Sequence, residues 1–149
     1  MQVLDGDELR RHPGFRYGFS RKERIAHLQR VVYMCNLLAK SGTLVIASFV
    51  SPYECVRMFA RRSIRNFVEV YVKCSIEACV KRDTKGLYKK ARAGEITNMT
   101  GIQDPYEEPK HPDIIVNTEE LTPEEASDKI VTWLDTNLKR RRAEHRMLN

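Results

Sequence analysis

The chain has 149 residues, 42% hydrophobic and 31% charged, which suits one globular domain that buries its own core without metal or disulfide staples. Its formal charge is +6 and unevenly placed: residues 139–149 hold five Lys or Arg against one Glu, so +4 sits in that tail and +2 in the rest. These figures speak against a membrane-spanning or disulfide-built protein: the longest apolar run is far short of a span, no signal-peptide pattern opens the sequence, and Cys35, Cys55, Cys74 and Cys79 lack zinc-like spacing. The expectation is reduced, partly buried thiols in a cytoplasmic protein.

Taken in order, Gln2 to Leu4 form a short apolar stub that ends in Asp5-Gly6-Asp7. Ser20 and Glu23 make a capping box that starts a helix running to about Lys40, with Ile25, Leu28, Val31, Val32, Cys35, Leu38 and Ala39 on one face and His27 off it. Thr43 to Val50 is a continuous apolar run, hence a strand buried on both faces. A short helix fits Tyr53 to Arg62, a strand Phe67 to Cys74, a brief helix Ser75 to Lys81, and a strand Asp113 to Thr118. Thr122 and Glu125 form a second capping box with Pro123 at the first helical position, and the last helix runs to about Arg141. Between Arg82 and Tyr106 lies a long cationic loop holding Lys85, Lys89, Lys90 and Arg92.

Strands that alternate with helices and are apolar throughout imply an α/β fold with a parallel sheet, whose ligands bind beyond the carboxyl ends of the strands. The polar groups at those ends are Asp5 and Asp7, Ser51, and Arg82 with the loop that follows it. Asp5 and Asp7 suit either a plain turn or a pair in which one carboxylate serves Mg²⁺ and the other accepts a hydroxyl proton, with Gly6 permitting the sharp turn between them. Arg10 is within reach of an anion in the same crevice. Phe19, Arg24 and His27 surround the start of the first long helix, where an aromatic ring can stack on a purine and a guanidinium can grip sulfate or phosphate; a hydrophobic staple at Phe19 and a solvated Arg24 are the plainer alternatives. Ser51 precedes a proline, as turn residues do, and no histidine base accompanies it to suggest a hydrolase. A cationic lid over a polyphosphate would stabilise a transferring phosphoryl group, whereas a surface helix with solvated lysines is the bland counterpart.

The stretches LDGDELR, GFS, IASFVSPY, FVEVYV, RDTKGLYKKARAGEI and NMTGIQDPYEEP, in that order over about Gln2 to Leu134, resemble the adenylylsulfate kinase family. The resemblance implies a P-loop kinase-like three-layer fold and transfer of the ATP γ-phosphoryl to the 3′-hydroxyl of adenosine 5′-phosphosulfate, with ATP as co-substrate and Mg²⁺ as cofactor. It further implies that Asp5 meets the 3′-hydroxyl, Asp7 organises Mg²⁺, and Arg10 and Arg24 bind the phosphosulfate. Phe19 and Met99 would flank the substrate adenine. Ser51 matches the family's phosphoserine position and is read here as a hydrogen-bonding group in direct in-line transfer. Lys89 and Arg92 would come from a closing lid, and Arg82 would lie against the ATP base. His27 stands where the family usually has asparagine, and Met99 where it usually has phenylalanine.

A G-x-x-x-x-G-K-[ST] phosphate loop, which the family carries between a first strand and first helix, does not occur in the 149 residues. The expected fold therefore lacks that strand, loop and helix, residues 1–138 being the kinase-like domain and 139–149 a basic tail. Little kinase activity is expected of the chain as it stands. The second reading is a non-catalytic, sulfonucleotide-binding or partner-dependent remnant. The resemblance also leaves open a homodimer or an association with ATP sulfurylase. A third reading makes the tail a nucleic-acid contact, for which interleaved aromatics are missing.

Overall fold

The computed structural model describes the backbone of residues 1–15 and 17–147 and side chains as far as residue 137. The side chains of the basic tail, 139–149, lie outside the described residues. The elements are β1 (Gln2–Asp5), α1 (Gly6–Arg11), a 3₁₀ turn (Pro13–Phe15), α2 (Arg21–Lys40), β2 (Val45–Ser48), α3 (Glu54–Ser63), β3 (Val70–Lys73), α4 (Ile76–Arg82), α5 (Leu87–Arg92), β4 (Ile114–Asn117) and α6 (Pro123–Met147).

They group into two units. The first comprises residues 1–67 and 86–109, the second 68–85 and 110–149. The first unit holds a parallel pair, β1 and β2, in the register Gln2 opposite Val45 through Asp5 opposite Ser48. Its core is Leu4, Val31 and Cys35, flanked by Leu9, Met34, Leu38, Val45 and Phe49, with a neighbouring cluster of Leu28, Tyr53 and Val56. The second unit holds a parallel pair, β3 and β4, from Val70 opposite Ile114 to Lys73 opposite Asn117. Tyr71, Ile114 and Val116 are its buried positions, and α6 packs on β4. The parallel pairing and α/β class follow the sequence reading.

The capping signals act as their chemistry requires. Ser20 Oγ accepts from the Glu23 amide at 3.4 Å while Glu23 Oε2 accepts from the Ser20 amide at 3.2 Å. The second box is reciprocal as well: Thr122 N donates to Glu125 Oε2 at 2.8 Å and Glu125 N to Thr122 Oγ1 at 3.2 Å. Ser20→Ala removes one cap of the 20-residue α2 and is expected to lower stability by about 1 kcal/mol, read as an earlier urea midpoint with an unchanged slope.

Three sequence expectations need correction. The run at 43–50 is not buried on both faces: the strand is four residues long, and Ile46 is 47% and Val50 63% exposed. Only Val45 of the four strand residues is partly buried, Ile46, Ala47 and Ser48 being exposed, so among the described elements the run is half-covered at most. The stub also turns straight into a helix, α1, because Asp5 caps it. Gly6 is needed there for close approach rather than for a turn, since a Cβ would lie 3.0 Å from the Phe49 ring. Finally, the cationic stretch contains a helix, α5, bracketed by Gly86 at φ +67° and Gly94 at φ +75°. Those are left-handed values that glycine alone adopts without penalty.

Candidate active site

The carboxyl ends of β1 and β2 set the site, because the register brings Asp5 and Ser48 side by side. Asp5 Oδ1 accepts from the amides of Asp7 at 2.9 Å and Glu8 at 3.1 Å. One carboxylate oxygen thus caps α1, and Asp7 sits exposed in the first turn. Both acids lie at one strand end, as the sequence suggested, although Asp5 also has a structural duty.

Arg10, Phe19 and Arg24 come together. The Arg10 guanidinium carbon lies 4.7 Å from the centre of the Phe19 ring and that of Arg24 5.4 Å from it. Arg10 is oriented by a 3.0 Å hydrogen bond to Tyr17 O, and Arg24 Nε by one of 2.8 Å to Phe19 O. Phe19 precedes the cap of α2, where a staple would pack on an apolar residue at the fourth helical position. That position is Arg24, so the ring is joined by cation–π attraction instead. Two guanidiniums sharing one ring repel each other: burial first, then the charge of Arg24, hold the Arg10 pKa below its usual value. Such a pair is resolved by an anion placed between them.

Arg24 reaches a second segment. Its Nη2 donates to Asn98 O at 2.5 Å, and its Nε lies 3.8 Å from Asp104 Oδ2. Asn98 sits at φ +61° beside Met99. The Met99 carbonyl accepts from the amides of Ile102, Gln103 and Asp104 at 3.0–3.1 Å. Gln103 ties this turn to α5 by donating to Ala91 O at 3.2 Å. Met99 is thereby placed next to Arg24 through the backbone, and the α5 segment belongs to the same unit as Asp5 and Arg10. Lys89 and Arg92 are exposed on α5. Arg82 belongs to the other unit, where it donates to Thr118 Oγ1 at 3.0 Å and Thr118 O at 2.6 Å.

His27 departs from the sequence reading. Placed off the apolar face, it is in fact 1% exposed, with its ring against Phe15, Tyr17 and Phe49 at centroid distances of 5.5 to 6.2 Å. Among the described residues neither ring nitrogen has a hydrogen-bond partner. Burial, then Arg10, hold its pKa below the ordinary value. The aromatic residues that cover it come from outside its own helix, which periodicity along α2 does not register.

Ser51 lies just beyond β2 at φ +42°. Arg57, 7% exposed, donates to its carbonyl at 2.7 Å and to Glu107 O at 2.5 Å. Glu107 Oε2 accepts from the Glu54 amide at 2.7 Å, and Oε1 takes Arg21 Nη2 at 3.1 Å. The Glu54 amide, followed by the bond and charge of Arg21, keeps the Glu107 carboxyl below its usual range despite some desolvation. Neither Arg57 nor Glu107 stood out in the sequence. The only signal was an arginine at helical spacing from Tyr53, which reads as a surface residue.

The chain as a whole resembles known proteins. Residues 1–117 match the family model described as "Adenylylsulphate kinase". An adenylyl-sulfate kinase of Halothermothrix orenii is 44% identical over 135 residues, 91% of this chain and 73% of that protein. A probable bifunctional SAT/APS kinase of Sorangium cellulosum is 44% identical over 91% of this chain and 23% of its own length. A solved structure of a Mycobacterium tuberculosis APS kinase in complex with AMPPNP and APS superposes with a TM-score of 0.82 at 40% identity, covering 90% of this chain and 79% of that one. With strand-end acids, paired guanidiniums and basic helix gathered in one unit, and with relatives of this identity, the chain belongs to the adenylylsulfate kinase family of phosphotransferases.

Proposed function

We propose that Arg10 and Arg24 clasp the phosphosulfate of adenosine 5′-phosphosulfate while Asp5 and Ser51 attend the 3′-hydroxyl that takes the γ-phosphoryl of ATP. The carrying observation is the pair of guanidiniums on the Phe19 ring, since two cations held that close are an anion site in waiting. The Mycobacterium tuberculosis relative, solved with APS and an ATP analogue, supports the same choice of substrates.

Phe19 is 52% exposed and offers its ring to the adenine, with the Met99 thioether packing opposite. His27, buried close enough to Arg10 to feel its charge, would support the site from behind rather than touch the substrate. Asp5 Oδ1 is engaged by backbone amides, so Oδ2 is the atom that accepts the hydroxyl proton. Lys89 and Arg92 contribute positive charge to the transferring group from α5. The part of Arg82 at the ATP base rests on the family resemblance alone. Transfer is direct and in line, and Ser51 serves as a hydrogen-bonding group.

Among the described residues no cluster of three or more His, Cys, Asp or Glu can hold a metal. That suits Mg²⁺ bound as this ion usually is with nucleotides, through one or two carboxylates plus phosphates and waters, with Asp7 as the protein's donor. Bound there, Mg²⁺ neutralises charge on the phosphates. None of the described helices is long and apolar enough to cross a membrane, and we place the activity in the cytoplasm. The bifunctional relative supports association with a sulfurylase, and a homodimer stands beside it as the other arrangement.

Calorimetry with adenosine 5′-phosphosulfate tests the assignment. Phe19→Ala should weaken binding about tenfold, the worth of one stacked base. Turnover with ATP, assayed on the full natural chain, separates the kinase from a binding-only remnant, and absence of substrate binding would sink both.

A further inference from the structure

We propose that Arg57 is a positioning residue for phosphoryl transfer: its buried guanidinium fixes Ser51 at the end of β2 by clamping the carbonyl of Ser51 to that of Glu107. The inference rests on the role given to Ser51 above.

Ser51 has an unfavourable backbone. A side chain at φ +42° occupies the left-handed region, and the following Pro52 restricts the preceding residue further. Such a conformation persists only where the surroundings over-determine it. Here they do. The two Arg57 bonds, 2.7 Å to Ser51 O and 2.5 Å to Glu107 O, join backbone atoms 56 residues apart in sequence. Glu107 is itself anchored, its amide donating to Pro52 O at 2.8 Å. Its carboxylate caps α3, whose own cap residue, Tyr53, makes no side-chain bond. Arg21 closes the frame, paired with Glu107 at 3.1 Å and lying 4.3 Å from the Tyr53 ring, which is 1% exposed. The frame thus grips Ser51 and Pro52 from both sides while leaving the serine hydroxyl uncommitted to it. The planar fork is essential to this, because a lysine presents one cation and cannot span two carbonyls in fixed directions.

The test is a double-mutant cycle on the full natural chain, with kcat, both KM values and thermal melting measured. Arg57→Lys is expected to lower kcat about tenfold with KM for either substrate within about twofold, the signature of a displaced reacting group. In a Ser51→Ala background the same change should lower kcat by less than about twofold, since its target has gone. An equal fall in both backgrounds, with Ser51→Ala itself impaired, overturns the inference alone. A Ser51→Ala variant of parental kcat overturns the role of Ser51 and the inference with it. If Arg57→Lys melts below the assay temperature, Arg57→Gln carries the cycle, because it removes the buried charge and retains one amide donor.

Discussion

Arg24→Ala is expected to lower kcat/KM for adenosine 5′-phosphosulfate by about 10²- to 10⁴-fold, as two charge-assisted hydrogen bonds each worth about 1.5–3 kcal/mol would require. The guanidinium does two jobs. Together with Arg10 it lies over the Phe19 ring as the proposed anion clasp, and it also tethers the Asn98–Asp104 turn that follows α5. Its loss would therefore remove the proposed substrate contact and free the segment that carries Met99. Arg24→Lys should recover little, since a point charge cannot hold Phe19 O and Asn98 O at once. Arg10→Gln is the contrasting variant. Arg10 is partly buried and repelled by Arg24, so its removal should weaken substrate binding without lowering the melting temperature. Steady-state kinetics with a melting curve on each variant decides the matter. An Arg24→Ala enzyme within threefold of the parent in kcat/KM would refute the clasp.

The sequence yielded what is local. Both capping boxes were legible, because each needs only a hydroxyl and a carboxylate three residues apart, and both helices start where those residues stand. The parallel pairs were legible as apolar runs, and Asp5, Arg10, Phe19 and Arg24 as polar or aromatic residues at element ends. What it hid depends on neighbours remote in the chain. The length of the run at 43–50 said nothing about which face would be covered, and Ile46 lies open. The buried arginine at 57 looked like one more surface cation, since its partners are carbonyls at 51 and 107 that carry no residue-type signal. Short α1 was hidden because its cap, Asp5, belongs also to the strand end. The helix in the cationic stretch lacks an apolar period, and its edges are set by two left-handed glycines instead.

Replacement of His27 should separate stability from substrate binding most sharply. The imidazole is buried with both nitrogens unpartnered among the described residues, and burying a polar group without partners costs about 1–3 kcal/mol. His27→Phe keeps the ring among Phe15, Tyr17 and Phe49 and removes that cost, so the melting temperature should rise by about 2–12 °C. His27→Ala instead opens a hole between the three aromatic rings and should cost about 3 kcal/mol. The pH dependence is fixed by the same burial. Folded His27 titrates below the ordinary 6.5 because of desolvation and then Arg10. Well above pH 6.5 it is neutral in both states and adds no proton-linked penalty. Below that value the unfolded chain takes up a proton that the folded chain refuses, so stability falls as pH drops from 6.5 towards the folded value. The carboxylates held low by their partners, Glu23, Glu107 and Glu119, start from 4.5 and act at lower pH. His27 therefore contributes a slope of stability between pH 6.5 and its folded value, and His27→Phe should reduce it. Urea unfolding at several pH values reads both effects, and a His27→Phe protein that is less stable than the parent, or that keeps the slope, would show that the ring's nitrogens are satisfied after all.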